Sequence, residues 1–550
     1  MADEREQWDA VVIGSGLGGL ACAAYLCAAG KRTVVLEAHY VAGGNSQVFR
    51  RGIRGRKYEF DVGVHYIGEC GAEGSITRIL RGIGLGERVR FRPLNPDGYS
   101  TLIFPDLRFR VPAGWDRYRA RLLETFPEEA AALGRVVDIL REVADGGGRF
   151  QNQEIAPADL MTAAPTFALW GLRPVTELFA EHGLSQRAAA VLLGEQGDYA
   201  VPPSRTPTAL AAGLTDHYMR GAFYPEGGGQ MIAARLIEAI RAYGGAVRTR
   251  TPVARVRVEN GRAVGVQLAN GECIAAAAVV SNADLKRTVL ELVGERYFAA
   301  ETIERVRDFR MALPLFIVYL GLDVDLAAAG LPNTNLIAWG SYDIEGIYRQ
   351  LEAGRIPEED LTYITAATIK DPGNRRLAPP GHTNLQIMTL APRQYALWHV
   401  DPDNVDTSGY HRDPQYRAAK AALAERLITA ADRIIPGLRE HIDWQEAATP
   451  VTQARFTHAS AGTSYGIEFA CDQMGPLRIG PHTEVPGLFL CGASAPSGHG
   501  IGGVLRGGVL AAAAVLEQNL MRGILAGEVL GDPSRLPALR DDWDPWRTSH

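Results

Sequence analysis

Asp9-Ala10-Val11-Val12-Ile13-Gly14-Ser15-Gly16-Leu17-Gly18-Gly19 opens a stretch, DAVVIGSGLGGLACAAYLCAAGKRTVVLE, that runs to Glu37. An apolar strand leads into glycines at 14, 16 and 19, an alanine-rich helix, a second apolar strand and a terminal carboxylate. That order predicts a βαβ unit built for a dinucleotide. Gly14 permits the tight turn, Gly16 lets backbone approach a pyrophosphate, and Gly19 lets helix lie close on strand. Unpaired N–H groups and the positive dipole end at the helix start suit the anion. Glu37 falls where one carboxylate accepts both hydroxyls of an adenosine ribose.

Ahead of this unit, Met1 to Trp8 is polar, with neither the basic nor the apolar part of a leader peptide. The longest apolar stretches, Ile274 to Val280 and Val509 to Leu516, are shorter than the ~20 residues of a spanning helix. The expectation is a cytoplasmic protein, with peripheral contact at a membrane surface left open. Six cysteines form neither a CxxC pair nor a metal-spaced cluster, which suits a reducing compartment and names no metal site. A net charge of −6, with both signs mixed along the chain, gives no electrostatic footprint for nucleic acid. With 550 residues, 46% of them hydrophobic, the chain divides into at least two domains.

Beyond Glu37 come Ala42-Gly43-Gly44-Asn45 and a strand-like Tyr58-Glu59-Phe60-Asp61-Val62-Gly63-Val64-His65-Tyr66. Trp115 to Val143 and Leu169 to Leu193 have helical spacing and are separated by a polar, glycine-rich stretch, Asp145 to Gln153, read as a loop. From Tyr224-Pro225-Glu226-Gly227-Gly228-Gly229 a helix over 231–243 leads into short strands with hairpin turns at Asn260-Gly261 and Asn270-Gly271. A return strand ends in Val279-Val280-Ser281-Asn282. Near the C-terminus, Gly487-Leu488-Phe489-Leu490-Cys491-Gly492 is a buried strand ending in glycine, and His499-Gly500-Ile501-Gly502-Gly503-Val504 opens an apolar helix. The class is α/β. A Rossmann-type domain built from the discontinuous segments 1–92, 216–296 and 451–530 is joined to a mixed α+β substrate domain from 93–215 and 297–450, with 531–550 read as a tail.

The first βαβ unit serves NAD, NADP and FAD alike. Gly43-Gly44 would bring backbone to a diphosphate and ribityl chain, as FAD requires, and a helix starting at Ile501 could aim N–H groups at the flavin pyrimidine edge. The cofactor-binding set is therefore Gly14, Gly16, Leu17, Gly19, Glu37, Ala38, Gly43, Gly44, Asn45, Val253, Ser281, Gly492, Ile501, Gly502 and Val504. No second nucleotide unit is visible, because Gly82-Ile83-Gly84-Leu85-Gly86 lacks the spacing. Electrons are expected to pass to or from oxygen, a quinone or a separate reductase.

The chain resembles the phytoene desaturase, carotenoid isomerase and retinol saturase superfamily of FAD-dependent oxidoreductases, within the amine-oxidase-like flavoprotein fold. The motifs that carry the resemblance are GSGLGG with Glu37, AGGN, EFDVGVHYIG at 59–68, YPEGGG at 224–229, VVSNAD at 279–284, GLFLCGAS at 487–494 and HGIGGV at 499–504. Val64 stands where bacterial phytoene desaturases commonly have proline, and Asn45 where many relatives have arginine, so the chain is more similar to retinol saturase and carotenoid isomerase. The resemblance implies a long apolar isoprenoid or polyene substrate and desaturation, saturation or isomerisation at C–C or C=C bonds.

His65 and His499 are the candidate catalytic residues, as acids or bases near neutral pH, with Tyr465 as a third. His217-Tyr218 is read as a loop near the domain junction. Two other readings stay open. One is an amine-oxidase-type flavoprotein oxidising a C–N bond, which would place a lysine at flavin N5. Of five lysines only Lys370 is suitably located, and Lys370-Asp371-Pro372 reads as a strand end in solvent. The other is an FAD-stabilised carrier of a lipid or pigment.

Overall fold

The computed structural model describes residues 7–53, 55–358, 361–405, 409–540 and 542–550, so most of the polar opening segment lies outside the described residues. Strand Gln7–Ile13 sits in the middle of a parallel arrangement, with Thr33–Leu36 on one side and Cys273–Ser281 on the other. Ala246–Arg248 extends the sheet past Thr33–Leu36, while Arg262–Leu268 and Val253–Glu259 turn back antiparallel at the far side. Leu488–Leu490 adds in parallel to the C-terminal half of Cys273–Ser281. Val11, Val12, Val34, Val35, Val279 and Val280 are fully buried, as parallel strands covered on both faces must be. The predicted turn at Asn260-Gly261 has φ of 50° and 76°, the left-handed pair of a tight hairpin.

A second sheet runs in the order Ile442–Ala448, Leu315–Leu322, Thr383–Leu390, Leu361–Thr365, Asn335–Trp339, Ser100–Phe104, Leu107–Val111. All neighbours are antiparallel except Asn335–Trp339 beside Ser100–Phe104. Period-two alternation decides what each face meets. Phe316, Val318 and Leu320 pack in one core with Leu423, Leu427 and Ile428 of helix Pro414–Ile434. Ile317 and Tyr319 point the other way, into the core shared with the dinucleotide-type domain.

Helices Trp115–Thr125, Ala130–Gln151, Pro165–Trp170 and Thr208–Met219 cover that second face. The stretch read as a loop at 145–153 is largely helix, since Ala130–Gln151 continues through it. Its glycines serve closeness: a Cβ at Gly146 would stand 2.8 Å from Phe167 Cβ and 2.9 Å from Ala164 Cβ, which is where Pro165–Trp170 crosses. The segment 531–550, read as a tail, instead packs onto the first domain. Asp544 takes both terminal nitrogens of Arg50 at 2.8 and 2.7 Å, Trp543 lies 3.6 Å from the Arg235 guanidinium, and Ser549 is buried.

Candidate functional site

A single cavity of about 1600 Å³ begins at the glycine loops and runs under the second sheet. Gly14, with φ 90°, turns the chain at the end of the first strand, and its N–H donates to Leu36 O at 2.8 Å, so turn and second strand are fixed together. Glu37 is held by its own backbone, N–H to Arg248 O at 2.9 Å and O from Thr251 N–H at 2.7 Å. Its Oε2 accepts Ser15 N–H and Oγ–H at 2.8 and 2.6 Å, and Oε1 accepts His39 N–H at 2.8 Å. The carboxylate thus faces the cavity in a fixed orientation with acceptor capacity remaining on Oε1. Gly43, at φ 132°, brings its loop against Gly16 and donates to Ser15 Oγ at 3.2 Å. Gln230 ties that loop to the helix Gln230–Ala242: its Nε2 donates to Ala42 O and its Oε1 accepts from Val48 N.

Two helix starts converge on this end. Leu17–Ala28 has no side-chain cap at Gly16, and Gly500–Leu516 has none at His499, so the first-turn N–H groups of both remain to be satisfied. The helices lie against each other because glycines meet glycines. A Cβ at Gly508 would collide with Gly18 O, and one at Gly18 would stand 3.1 Å from Val504 O. Asn282 fills the angle between them, its Nδ2 2.8 Å from where a Gly16 Cβ would be and its Oδ1 2.9 Å from where a Gly492 Cβ would be.

Gly14, Gly16, Leu17, Glu37, Ala38, Gly43, Gly44, Asn45, Val253, Gly492, Ile501, Gly502 and Val504 all line the cavity. Gly19 and Ser281 do not. Gly19 packs on the first strand, where a Cβ would strike Gly14 O, and Ser281 is buried with its Oγ 2.7 Å from Thr288 Oγ1. Asn282, one residue on, takes the place expected of Ser281. The donor-rich glycine turns, oriented carboxylate and uncapped helix starts fit FAD: Glu37 would take a ribose, Gly14–Leu17 the pyrophosphate and Ile501–Val504 the pyrimidine edge.

The wider end holds His65, Tyr465 and His499, together with Tyr66, Asp198, Tyr218 and Tyr363. The Tyr465 and His499 rings are 5.0 Å apart, and His65 is 5.9 Å from Tyr363. His65 Nδ1, His499 Nε2 and the Tyr363 hydroxyl are buried without a protein partner, so each has a hydrogen bond to offer a bound molecule. Burial pushes both histidines down to about 3, helped by Lys370 beside His65 and Arg478 beside His499. Neither ring is therefore the near-neutral acid or base expected of it; both are neutral hydrogen-bonding groups. Tyr465 donates its hydroxyl to Gly197 O at 3.0 Å and burial raises its pKa, which leaves it a positioning role.

Lys370 and Asp371 are also misplaced by the sequence reading, for both are buried and not in solvent. Lys370 Nζ donates to His65 O and Asn335 Oδ1, each at 2.6 Å, and to Thr365 Oγ1. Its three donors are used, and burial lowers its pKa to about 7. It braces the backbone at His65 and does not line the cavity; the strand expected over 58–66 ends at Asp61, so His65 sits in the bend that follows it. Asp371 forms an ion pair with Arg92 at 2.7 Å and accepts Gly227 N–H at 2.7 Å. Asp61 accepts the Tyr224 hydroxyl at 2.5 Å and Gly229 N–H at 2.9 Å, so two of the recognised motifs fold into one brace. His217 lies in the helix Thr208–Met219, not a loop, and accepts Gly68 N–H at 2.8 Å. Asp198 and Glu195, acids in a segment without any motif, went unread; their spacing of three beside cavity tyrosines was the available signal.

The family described as flavin containing amine oxidoreductase matches residues 17–339. An all-trans-retinol 13,14-reductase of Rattus norvegicus is 30% identical over 548 residues, covering 95% of this chain and 88% of its own. A chloroplastic prolycopene isomerase 1 of an Oncidium hybrid cultivar is 25% identical over 529 residues, covering 93% and 84%. A solved structure of putrescine oxidase with putrescine bound shares the fold, with a TM-score of 0.60 at 14% identity over 93% of this chain and 99% of that one.

Proposed function

We propose, since this chain belongs to the flavin-containing amine oxidoreductase family and its cofactor is FAD, that it acts on the C–C or C=C bonds of an apolar polyene of isoprenoid type. The observation that carries this reading is the cavity. Its volume of about 1600 Å³ exceeds the ~300–1,000 Å³ of an ordinary small-molecule pocket, which leaves room for a long substrate beside a dinucleotide. Beyond the glycine loops its walls are mostly apolar, with Val143, Phe167, Leu172, Leu214, Leu361 and Met388 among them. Likeness to retinol reductases and prolycopene isomerases supports the same substrate class.

FAD, when bound, supplies a two-electron acceptor or donor at flavin N5. The chain does the rest. Glu37 would hold the ribose and the two helix starts the pyrophosphate and the pyrimidine edge, while the apolar walls would exclude water and align a carbon with the reacting face. A C–N oxidation of amine-oxidase type is disfavoured by Lys370, whose Nζ is spent on three oxygens and does not line the cavity. Oxygen, a quinone or a separate reductase is the proposed electron partner. Peripheral contact with a bilayer from the cytoplasmic side is part of the proposal. Met161, Leu169 and Leu172 are 69, 58 and 56% exposed, and Leu172 also lines the cavity, so apolar surface continues from outside to inside. Among the described residues no helix is long and apolar enough to cross a membrane.

The test is anaerobic incubation of the FAD-loaded protein, in its oxidised and its dithionite-reduced form, with retinoids, carotenoids and amines. Flavin absorbance and product mass are followed together. Loss of two hydrogens identifies desaturation, gain identifies saturation, and unchanged mass with altered retention identifies isomerisation. Deamination of an amine with every polyene untouched would overturn the proposal.

A further inference from the structure

Saturating an alkene takes a proton as well as a hydride, and the histidines at the reacting end are held neutral. A different pair of groups is built to hold a proton there. Glu195 precedes and Asp198 ends the short turn Gln196–Asp198; both side chains are half-buried, and Asp198 is on the cavity wall. Tyr66 bridges them: its hydroxyl lies 2.7 Å from Asp198 Oδ2 and 3.3 Å from Glu195 Oε1. Tyr218 donates to Asp198 Oδ2 at 3.1 Å and Tyr99 to Glu195 Oε2 at 3.0 Å, while Tyr66 and Tyr218 stack at 4.2 Å. Three tyrosines donate to the pair, the Ser100 hydroxyl also acts on Glu195, and neither carboxyl has an arginine or lysine within ion-pair distance among the described residues. Asp198 Oδ1 receives no hydrogen bond from the described residues, so one oxygen of the pair is left for the cavity.

We propose that Asp198 is the proton-transfer residue for the reaction at the cavity's carbon–carbon bond, with Glu195 and Tyr66 as positioning residues that keep one proton on the pair. This rests on the reading of the protein as a polyene oxidoreductase. In saturation, the π pair of the alkene forms a C–H bond with the proton of the Asp198 carboxyl, and the adjacent carbon receives a hydride from reduced flavin. The acid is left as carboxylate, the flavin oxidised. In desaturation the Asp198 carboxylate removes a proton from one carbon while the neighbouring C–H gives its hydride to oxidised flavin, and the remaining pair becomes the π bond. Burial, the dominant cause, raises Asp198 to about 6 and Glu195 to about 7, with the nearby charge of Asp198 adding to Glu195. The pair therefore carries a proton near neutral pH. The other titratable groups facing it are Tyr66, Tyr99, Tyr118, Tyr199, Tyr218, Tyr363, Tyr465 and Lys370; burial holds the tyrosines protonated, and Lys370 opposes the rise at Asp198.

Asp198→Asn, Glu195→Gln and Tyr66→Phe in the FAD-loaded enzyme test the assignment. Asp198→Asn should keep the flavin spectrum and lower the rate of polyene conversion by ~10²–10⁴-fold. Glu195→Gln should stay active and move the pH midpoint of the rate toward acid. A readout independent of turnover is the infrared carbonyl band of a protonated carboxylic acid at pH 6, expected in wild type and Tyr66→Phe and diminished in Asp198→Asn and Glu195→Gln. Absence of that band in wild type, or an Asp198→Asn enzyme with the wild-type rate and pH midpoint, overturns the proton role. If the band is present while amines alone are oxidised, it is the polyene reading that falls, and the proton role at a C=C bond with it.

Discussion

Single residues at the reacting end work by what the surrounding protein denies them. His65 and His499 are too enclosed to accept a proton readily, so acid destabilises the fold through them. Their pKa of about 3 in the fold lies below the ~6.5 of an unfolded histidine. The stability tied to their neutral form is complete above pH 6.5 and is lost as pH falls toward 3, at about 2 kcal/mol apiece by pH 5. Glu195 and Asp198 oppose this, because a carboxyl raised in the fold loses stability as pH rises through its folded value. Replacing both histidines by phenylalanine leaves the carboxyls in place. Thermal unfolding between pH 7 and pH 5 should then fall less steeply than in wild type, and equal slopes would show that the rings are charged in the fold. None of this was legible in the sequence. A histidine after a strand and another before a helix identify position, whereas burial is set by sheets that arrive from hundreds of residues away.

Elements were read far better, and the failures among them share one cause. Gln230–Ala242 lies within a residue of the expected helix, and both asparagine–glycine turns join their strands as read. Local alternation and turn chemistry decide those elements without help from the rest of the chain. The glycines at 146 and 147 misled because a residue without a side chain serves equally to break a helix or to bring two together. The same ambiguity operates at Gly507 and Gly508. A Cβ at Gly507 meets only Ser497, at 3.7 Å and beyond, whereas one at Gly508 strikes Gly18 O and stands 2.9 Å from Ala21 Cβ. Gly508→Val should cost roughly 1–3 kcal/mol and weaken FAD retention by parting the two helix starts. Gly507→Ala should do neither. Thermal melts and equilibrium dialysis of the flavin compare the two, and similar behaviour would rule out helix spacing as the determinant of cofactor binding.

At the scale of the whole molecule, the dinucleotide end is sealed by the segment most remote in sequence. Ser549 O accepts Ala42 N–H at 2.8 Å, Ser549 Oγ lies 2.9 Å from Gln230 Nε2, and Trp546 lies 4.8 Å from the Arg50 guanidinium. A chain ending at Leu530 should melt at lower temperature, lose FAD more readily and be cut by protease within 42–53. Protection of that loop in the shortened chain would show the segment to be dispensable. Its charged, proline-containing composition resembles a solvated tail in one dimension, and only the partners Arg50, Arg235 and Gln230 reveal its role.

The nucleotide sheet also imposes a timetable. Gln7–Ile13 leaves the ribosome well before its neighbour Cys273–Ser281, more than two hundred residues on, and Leu488–Leu490 and Gly500–Leu516 come later still. At ~5–20 residues per second the interval from Glu37 to Leu516 lasts roughly half a minute to a minute and a half. Throughout it the earliest strands have unpaired edges, and the apolar walls of the future cavity face water. The newborn chain is therefore a natural client for chaperones, and the yellow colour of the holoprotein should appear only after translation of the second helix is complete.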